Sequence, residues 1–137
     1  MKKLLKSNRA EGYIDTVVCV MAAMMVIVLA LNVFSFLTMK QDMDYFAKEI
    51  IDTATIYGRT SSEVTQRYRE LCTELGFRPQ LSFSGTEYFN SSTGKVQLGD
   101  TIMVRVTYRT YVRGLGVFRI PVTLYARHSG LSQKYWK

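Results

Sequence analysis

The chain has a single histidine, two cysteines and two prolines, and both prolines fall late, at Pro79 and Pro121. Each scarcity excludes something. One imidazole, His128 beside Arg127, is too little for a His-rich metal site, and neither Cys19 nor Cys72 has a CxxC partner. Cys19 lies inside a long apolar run and Cys72 far beyond it, so no disulfide framework is expected. With no proline before Pro79, nothing kinks a helix by that route in the first half of the chain. GxSxG, HExxH and a Walker glycine loop are all missing, and Gly114-Leu115-Gly116 is too short for a nucleotide fingerprint. No nucleophile stands with a base, so the expectation is a protein that is not an enzyme, with no cofactor, no metal and no small-molecule substrate.

Acid is also scarce toward the C-terminus. From Arg78 onward nine Lys/Arg face only Glu87 and Asp100, an excess of seven that equals the net charge of the whole chain. With 137 residues there is room for one small domain beside an anchor, and a large two-domain enzyme is excluded.

What the chain does have is an uncharged stretch from Thr16 to Met39, interrupted late by Asn32, Ser35 and Thr38. About 24 residues at roughly 1.5 Å each make a rod of about 36 Å, enough to cross a hydrocarbon core with some tilt. Lipid leaves the backbone to satisfy its own hydrogen bonds, so a helix is predicted. Lys2, Lys3, Lys6 and Arg9 imitate the basic end of a signal peptide, and Val28-Leu29-Ala30 imitates a cleavage site. The run is too long for a signal h-region of about 7–15 residues, so a retained span is expected. Four cations precede it and only Lys40 and Lys48 closely follow it. That asymmetry puts the N-terminus in the cytoplasm and the C-terminal domain outside.

Beyond the run the periodicity stays helical. Met39, Met43, Phe46, Ile50, Ala54 and Tyr57 recur at steps of four and three, a packing stripe opposite charged residues. One helix from about Tyr13 to Tyr57 is predicted, with Gly58 as its stop. Ser61 or Ser62 then caps a second helix, with Glu63 in its first turn, Gly76 as its end and Val64, Tyr68, Leu71, Cys72 and Leu75 as its apolar face.

After Pro79 the period changes to two. The even positions of Thr101 to Arg113 and of Val117 to Arg127 are the apolar ones. Matching those faces with Val112 opposite Phe118 and Val106 opposite Leu124 leaves Gly114-Leu115-Gly116 as a three-residue hairpin loop. Pro121, without an N–H, calls for an edge strand. Leu81 and a short segment at Val96-Gln97-Leu98 are expected to extend the other side, with Asn90 to Gly94 as a polar turn, and the amphipathic helix to cover the sheet. On the polar face this register sets Arg105 against Tyr125 and Tyr111 against Arg119, beside Arg109, Arg113 and Arg127. Such a face suits a solvated sheet surface or a subunit interface, since Arg–Tyr pairs stabilise exposed sheets without a ligand, or else a polyanion such as DNA or an anionic wall polymer.

The whole is an α+β layout: a basic cytoplasmic leader at 1–12, a transmembrane helix at 13–39, an amphipathic extension at 40–58, a second helix at 59–77, a three- to four-stranded antiparallel sheet at 78–128 and a tail at 129–137. With Glu11-Gly12-Tyr13-Ile14-Asp15 before the span, Ala47 to Ala54 after it and Gly99-Asp100-Thr101-Ile102-Met103-Val104-Arg105-Val106-Thr107-Tyr108 in the sheet, the chain resembles type IV pilin-like proteins, nearest the TadE-like minor pilins of tight-adherence systems. It is also similar to single-span proteins of Gram-positive conjugative elements. The resemblance implies a membrane-anchored structural subunit of a pilus, secretion or conjugation apparatus, partnered by the lipid bilayer and by other such subunits. It makes Gly12 and Asp15 a candidate processing or subunit-packing collar. Pilins carry a glutamate at the fifth position after the cleavage glycine, whereas here the acid is Asp15, three positions after Gly12, which favours an uncut anchor.

Overall fold

The computed structural model describes residues 4–114 and 118–137, with side chains described for 12–112 and 118–137. Helix α1 runs from Leu4 to Tyr57 and helix α2 from Ser62 to Leu75. Strands β1 (Gln80–Ser82), β2 (Thr101–Gly114) and β3 (Phe118–Leu131) form one antiparallel sheet in the order β1-β2-β3. The fold is α+β, with the C-terminal half of α1 laid across the sheet.

At 54 residues α1 is roughly 80 Å long, and it is long and apolar enough to cross a membrane. It begins earlier than Tyr13. The segment from Leu4 to Glu11 is rich in Leu, Lys, Arg, Ala and Glu, all good helix formers, and a single glycine at Gly12 costs only about 1 kcal/mol in a helix. The collar is therefore an ordinary part of the rod.

The core forms where α1 leaves its apolar half. Met43, Phe46, Ala47, Ile50 and Ala54 are fully buried against Ile102, Val104 and Val106 of β2 and Leu124 and Ala126 of β3. The Phe46 ring meets Tyr68 edge-on at 5.7 Å and Phe77 at 5.9 Å, and Phe77 continues to Tyr108 at 5.1 Å. Met39 packs on this core half-buried, but Tyr57, the last member of the stripe, is 47% exposed. The returning chain explains this difference: Gln133 N–H donates to the Thr55 carbonyl and Ser132 and Lys134 lie against Gly58, so the end of α1 turns its Thr55 side inward and Tyr57 outward.

Helix α2 follows Ser61 and closes on Gly76 in the left-handed conformation (φ 74°). Ser61 makes no side-chain cap; its carbonyl instead accepts from Thr65 N–H at 3.0 Å. Val64 and Leu71 are buried, with Tyr68, Cys72 and Leu75 packed beside them. Arg67 fastens α2 to α1 through Glu49 at 2.7 Å, which raises the guanidinium pKa, and Glu70 adds a second bond at 3.1 Å. Arg59 pairs with Glu63 and holds that carboxyl below its usual range.

The hairpin register differs from the expected one by two residues. Val112 pairs with Ile120, Val106 with Ala126 and Gly114 with Phe118. A shift of two preserves both faces, so alternation alone could not decide it. Gly114 belongs to β2, and the remaining loop positions, Leu115 and Gly116, lie outside the described residues. The expected strand at Val96 to Leu98 does not form: Lys95 makes isolated bridges to Arg59 and Asn90, and Val96 N–H donates to the Gly58 carbonyl at 2.8 Å while its side chain is fully buried. The sheet thus has three strands, and β3, which carries Pro121, is an edge.

Candidate functional site

Outside the core, two surfaces hold the residues singled out by sequence, and the hairpin's overhang makes a third. The first is the bare half of α1. Its large apolar side chains from Tyr13 to Leu31 are exposed apart from a half-buried Val28. The polar groups in this run serve the helix itself. Thr16 Oγ1 donates to the Gly12 carbonyl at 2.8 Å, Asn32 Nδ2 to Val28 at 2.8 Å, Ser35 Oγ to Leu31 at 3.0 Å and Thr38 Oγ1 to Phe34 at 3.1 Å. Internal satisfaction of this kind is what a low-dielectric surrounding demands. Gly12 and Asp15 lie exposed at one end of this surface, and a Cβ added at Gly12 would meet nothing within 4 Å. Packing within this chain does not call for glycine there.

The second surface is the outer face of the hairpin. The Arg–Tyr cross-strand pairs are replaced, because of the two-residue shift, by Arg105 opposite Arg127, Thr107 opposite Tyr125, Arg109 opposite Thr123, Tyr111 opposite Pro121 and Arg113 opposite Arg119. Arg105, Arg109, Arg119 and Arg127 are exposed and form no ion pair among the described residues. Arg127 rests its guanidinium on the Met103 thioether, at 2.7 and 3.2 Å. No acid occupies an outward position of β2 or β3. Like charges directly opposite each other destabilise a strand pair, so the Arg105–Arg127 rung is a standing cost of this face, while the side chain of Arg113 lies outside those described.

The third surface was not anticipated. The helix stripe buries Met43 to Ala54, yet the hairpin runs on past it toward the apolar half of α1. Gly130 of β3 lies against Thr55 and Ile51, the Tyr125 carbonyl accepts from Lys40 Nζ at 2.7 Å, and Thr110, Tyr111 and Val112 share a cavity of about 240 Å³ with Asn32, Ser35, Phe36 and Met39. At Val112's level Ile120 is 58% exposed, and two residues nearer the tip Phe118 is 70% exposed, although both belong to the inward face of β3. Length was the available signal. Fourteen strand residues span about 46 Å, whereas the extension from Lys40 to Tyr57 offers about 27 Å of helix, so the hairpin must overhang.

Other chemistry is sparse. Among the described residues no three His, Cys, Asp or Glu side chains come together as metal ligands. Cys19 is a free, exposed thiol on the apolar helix, and Cys72 is free and half-buried beside Tyr68.

Residues 20–137 match the family described as Domain of unknown function (DUF4320), and the chain belongs to that family. Nothing among curated proteins or solved structures matches it.

Proposed function

We propose that the chain is a non-enzymatic, single-span structural subunit of a bacterial pilus, secretion or conjugation apparatus, with its α+β domain held outside the cell membrane. One observation carries this reading: α1 is a single unbroken helix that is bare and apolar from Thr16 to Leu31 and packs into the core of the domain from Met43 to Ala54. A rod of that kind couples whatever packs on its lower half rigidly to the domain above. The bare half offers too much apolar surface for water, and lipid together with neighbouring subunit helices accounts for it. The cations before the span orient the N-terminus toward the cytoplasm. The pilin-like layout, nearest the TadE-like minor pilins and the single-span proteins of Gram-positive conjugative elements, supports assembly with like or related subunits. Asp15, placed three residues after Gly12, favours an anchor that stays uncut.

Cys19 supplies the test. In native membranes the full chain carrying Cys72→Ala is exposed to a mild thiol oxidant, alongside a series in which the cysteine is moved to each of the next turns of α1. Periodic formation of Cys-linked oligomers supports subunit packing; a freely soluble monomer, or no cross-link at any position, would sink it. An intact Met1 on the mature chain supports the uncut anchor, whereas a start at Tyr13 overturns it.

A second reading rests on the Arg105–Arg127 rung. Opposed Arg105 and Arg127, with Tyr125 and Arg109 farther along the same face, suit the grip of DNA or an anionic wall polymer, whose charges would relieve the repulsion. Salt-dependent binding that survives replacement of Arg105, Arg109 and Arg119 would rule this face out.

A further inference from the structure

We infer that the far end of the β2–β3 hairpin, at Tyr111 and Phe118 to Ile120, is a second membrane contact, a finger that rests in the headgroup region of the phospholipid leaflet from which α1 emerges. The inference rests on the single-span reading and adds to it a lipid-binding site that lies on the sheet.

A hydrocarbon core of about 30 Å takes about 20 helical residues. Counted from Thr16, the first residue after the acid Asp15, that length ends near Ser35. Asn32, Ser35 and Thr38 are the polar interruptions of the run and mark the same level. The cavity between helix and hairpin, lined by Asn32, Ser35 and Phe36 on one side and Tyr111 and Val112 on the other, sits at that boundary. Ile120, paired with Val112, stands at the level of that cavity, and Phe118, paired with Gly114, lies two residues nearer the hairpin tip. The tip therefore reaches the membrane surface with no movement of the domain.

Composition then fits the depth. Both faces of the tip present large side chains to the surroundings: Tyr111 on the outward face and Phe118 and Ile120 on the inward one, each more than half exposed. Aromatic rings with one polar end settle at the headgroup level of membranes. Arg109 and Arg119, exposed beside them, match the phosphates of the leaflet, and no outward acid on the hairpin opposes them. The open edge of β3 limits the depth. Its unpaired backbone groups would each cost several kcal/mol in hydrocarbon, so the finger stays in the interfacial zone. Met39 and Phe36, half-buried against the domain, are covered by the hairpin itself. The lipid-facing sides at this height belong to Val33, Phe34 and Leu37, all exposed.

The test uses the full chain in vesicles of phosphatidylcholine with phosphatidylglycerol. A tryptophan reporter is placed at Ile120 (Ile120→Trp, Trp136→Phe), with Met25→Trp in the span and Leu98→Trp on the far end of the domain as references. The expected result is a blue-shifted Ile120→Trp emission, quenched most by nitroxides near the lipid headgroup, with Met25→Trp quenched by deep nitroxides and Leu98→Trp by none. Quenching at Met25 without quenching at Ile120 overturns this inference and leaves the anchor standing; quenching at neither removes the anchor as well. A spin label on Ile120→Cys, with Cys19→Ala and Cys72→Ala and Trp136 kept, repeats the measurement should the Trp136→Phe background unfold. If that cysteine instead links to a second copy and is shielded from oxygen, the tip is a subunit contact and the inference fails. Arg109→Gln with Arg119→Gln is expected to weaken the quenching at Ile120, and unchanged quenching would overturn the part assigned to the arginines.

Discussion

Lys40 Nζ donates to the backbone carbonyl of Tyr125 at 2.7 Å while pairing with Asp44 at 3.1 Å, so a single cation ties the edge strand to α1 where the helix leaves its apolar half. Next to it on the helix, Met39 packs half-buried on the core, whereas Thr38 is exposed. This bond holds the hairpin in place along the helix.

Replacing Lys40 by Met keeps the helix but removes the donor. The bond is partly exposed, so a loss of about 0.5–1 kcal/mol is expected. Amide exchange should accelerate in β3 from Val122 to Arg127 and stay unchanged in α2, as measured by mass spectrometry of the full chain in detergent.

Phe46 is the side chain on which the domain closes, fully buried and in contact with the rings of Tyr68 and Phe77. Phe46→Ala is expected to cost about 3–5 kcal/mol, a large share of what a small domain has. Denaturant unfolding followed by Trp136 emission should show the midpoint collapse, while membrane association through the bare half of α1 persists.

Gly58 joins helix, loop and tail. Its φ is +60°, a Cβ there would lie 2.4 Å from the Lys134 Cβ, and its carbonyl accepts from Val96 N–H at 2.8 Å and from the Trp136 indole at 3.1 Å. Gly76 has φ +74° but open space around it. Gly76→Ala should therefore show only the left-handed penalty of about 1–2 kcal/mol. Gly58→Ala should exceed that by the cost of displacing the tail, and should shift Trp136 emission to the red, which Gly76→Ala should leave alone.

These features show which parts of the fold sequence reasoning can reach. The helices were legible because their periods and stops are local: the 43-46-50-54 stripe and the glycines at 58 and 76 specify them without reference to the sheet. Face assignment on the strands was legible for the same reason. The register was hidden because every pairing that shifts by two residues buries the same set, and the Arg–Tyr pairs expected at 105–125 and 111–119 were lost with it. Tyr57 and the Val96 segment were misplaced by a tertiary cause, the tail returning along Gly58. The Trp136 indole, with Lys95 Nζ 4.4 Å over its ring, holds that return in a segment that has no period of its own. Of the candidate surfaces, the apolar half of α1 was fully readable; the hairpin overhang required comparing the lengths of two elements.

Tyr68 gives the domain an alkaline limit. Its hydroxyl donates to the Pro79 carbonyl at 2.9 Å, and burial, aided by the neighbouring Cys72 thiol, raises the phenol above its usual 10.0, with Arg78 opposing weakly. The fold favours the protonated phenol. Its stabilising contribution is thus complete below pH 10.0 and is lost as pH rises through the raised value. Tyr68→Phe is expected to cost about 1 kcal/mol at neutral pH and to flatten the alkaline fall in stability, read from unfolding midpoints across the range.

Arg105 separates the demands of stability from those of binding. It stands opposite Arg127 on an exposed face without an acid, so in isolation the rung repels. Arg105→Glu turns the rung into an opposed ion pair, and a gain of about 0.2–1 kcal/mol is expected at low salt, shrinking as salt screens it. If the face exists to hold a polyanion, the same change should weaken binding of duplex DNA and lower the slope of log affinity against log salt by roughly one phosphate contact or more. Stability and affinity would then move in opposite directions on one substitution. A rise in stability with DNA binding absent in both forms assigns the face to a subunit contact, where an acidic partner would relieve the rung. A loss of stability at low salt would mean that something other than charge holds Arg105 in place, and the repulsion argument would fall with it.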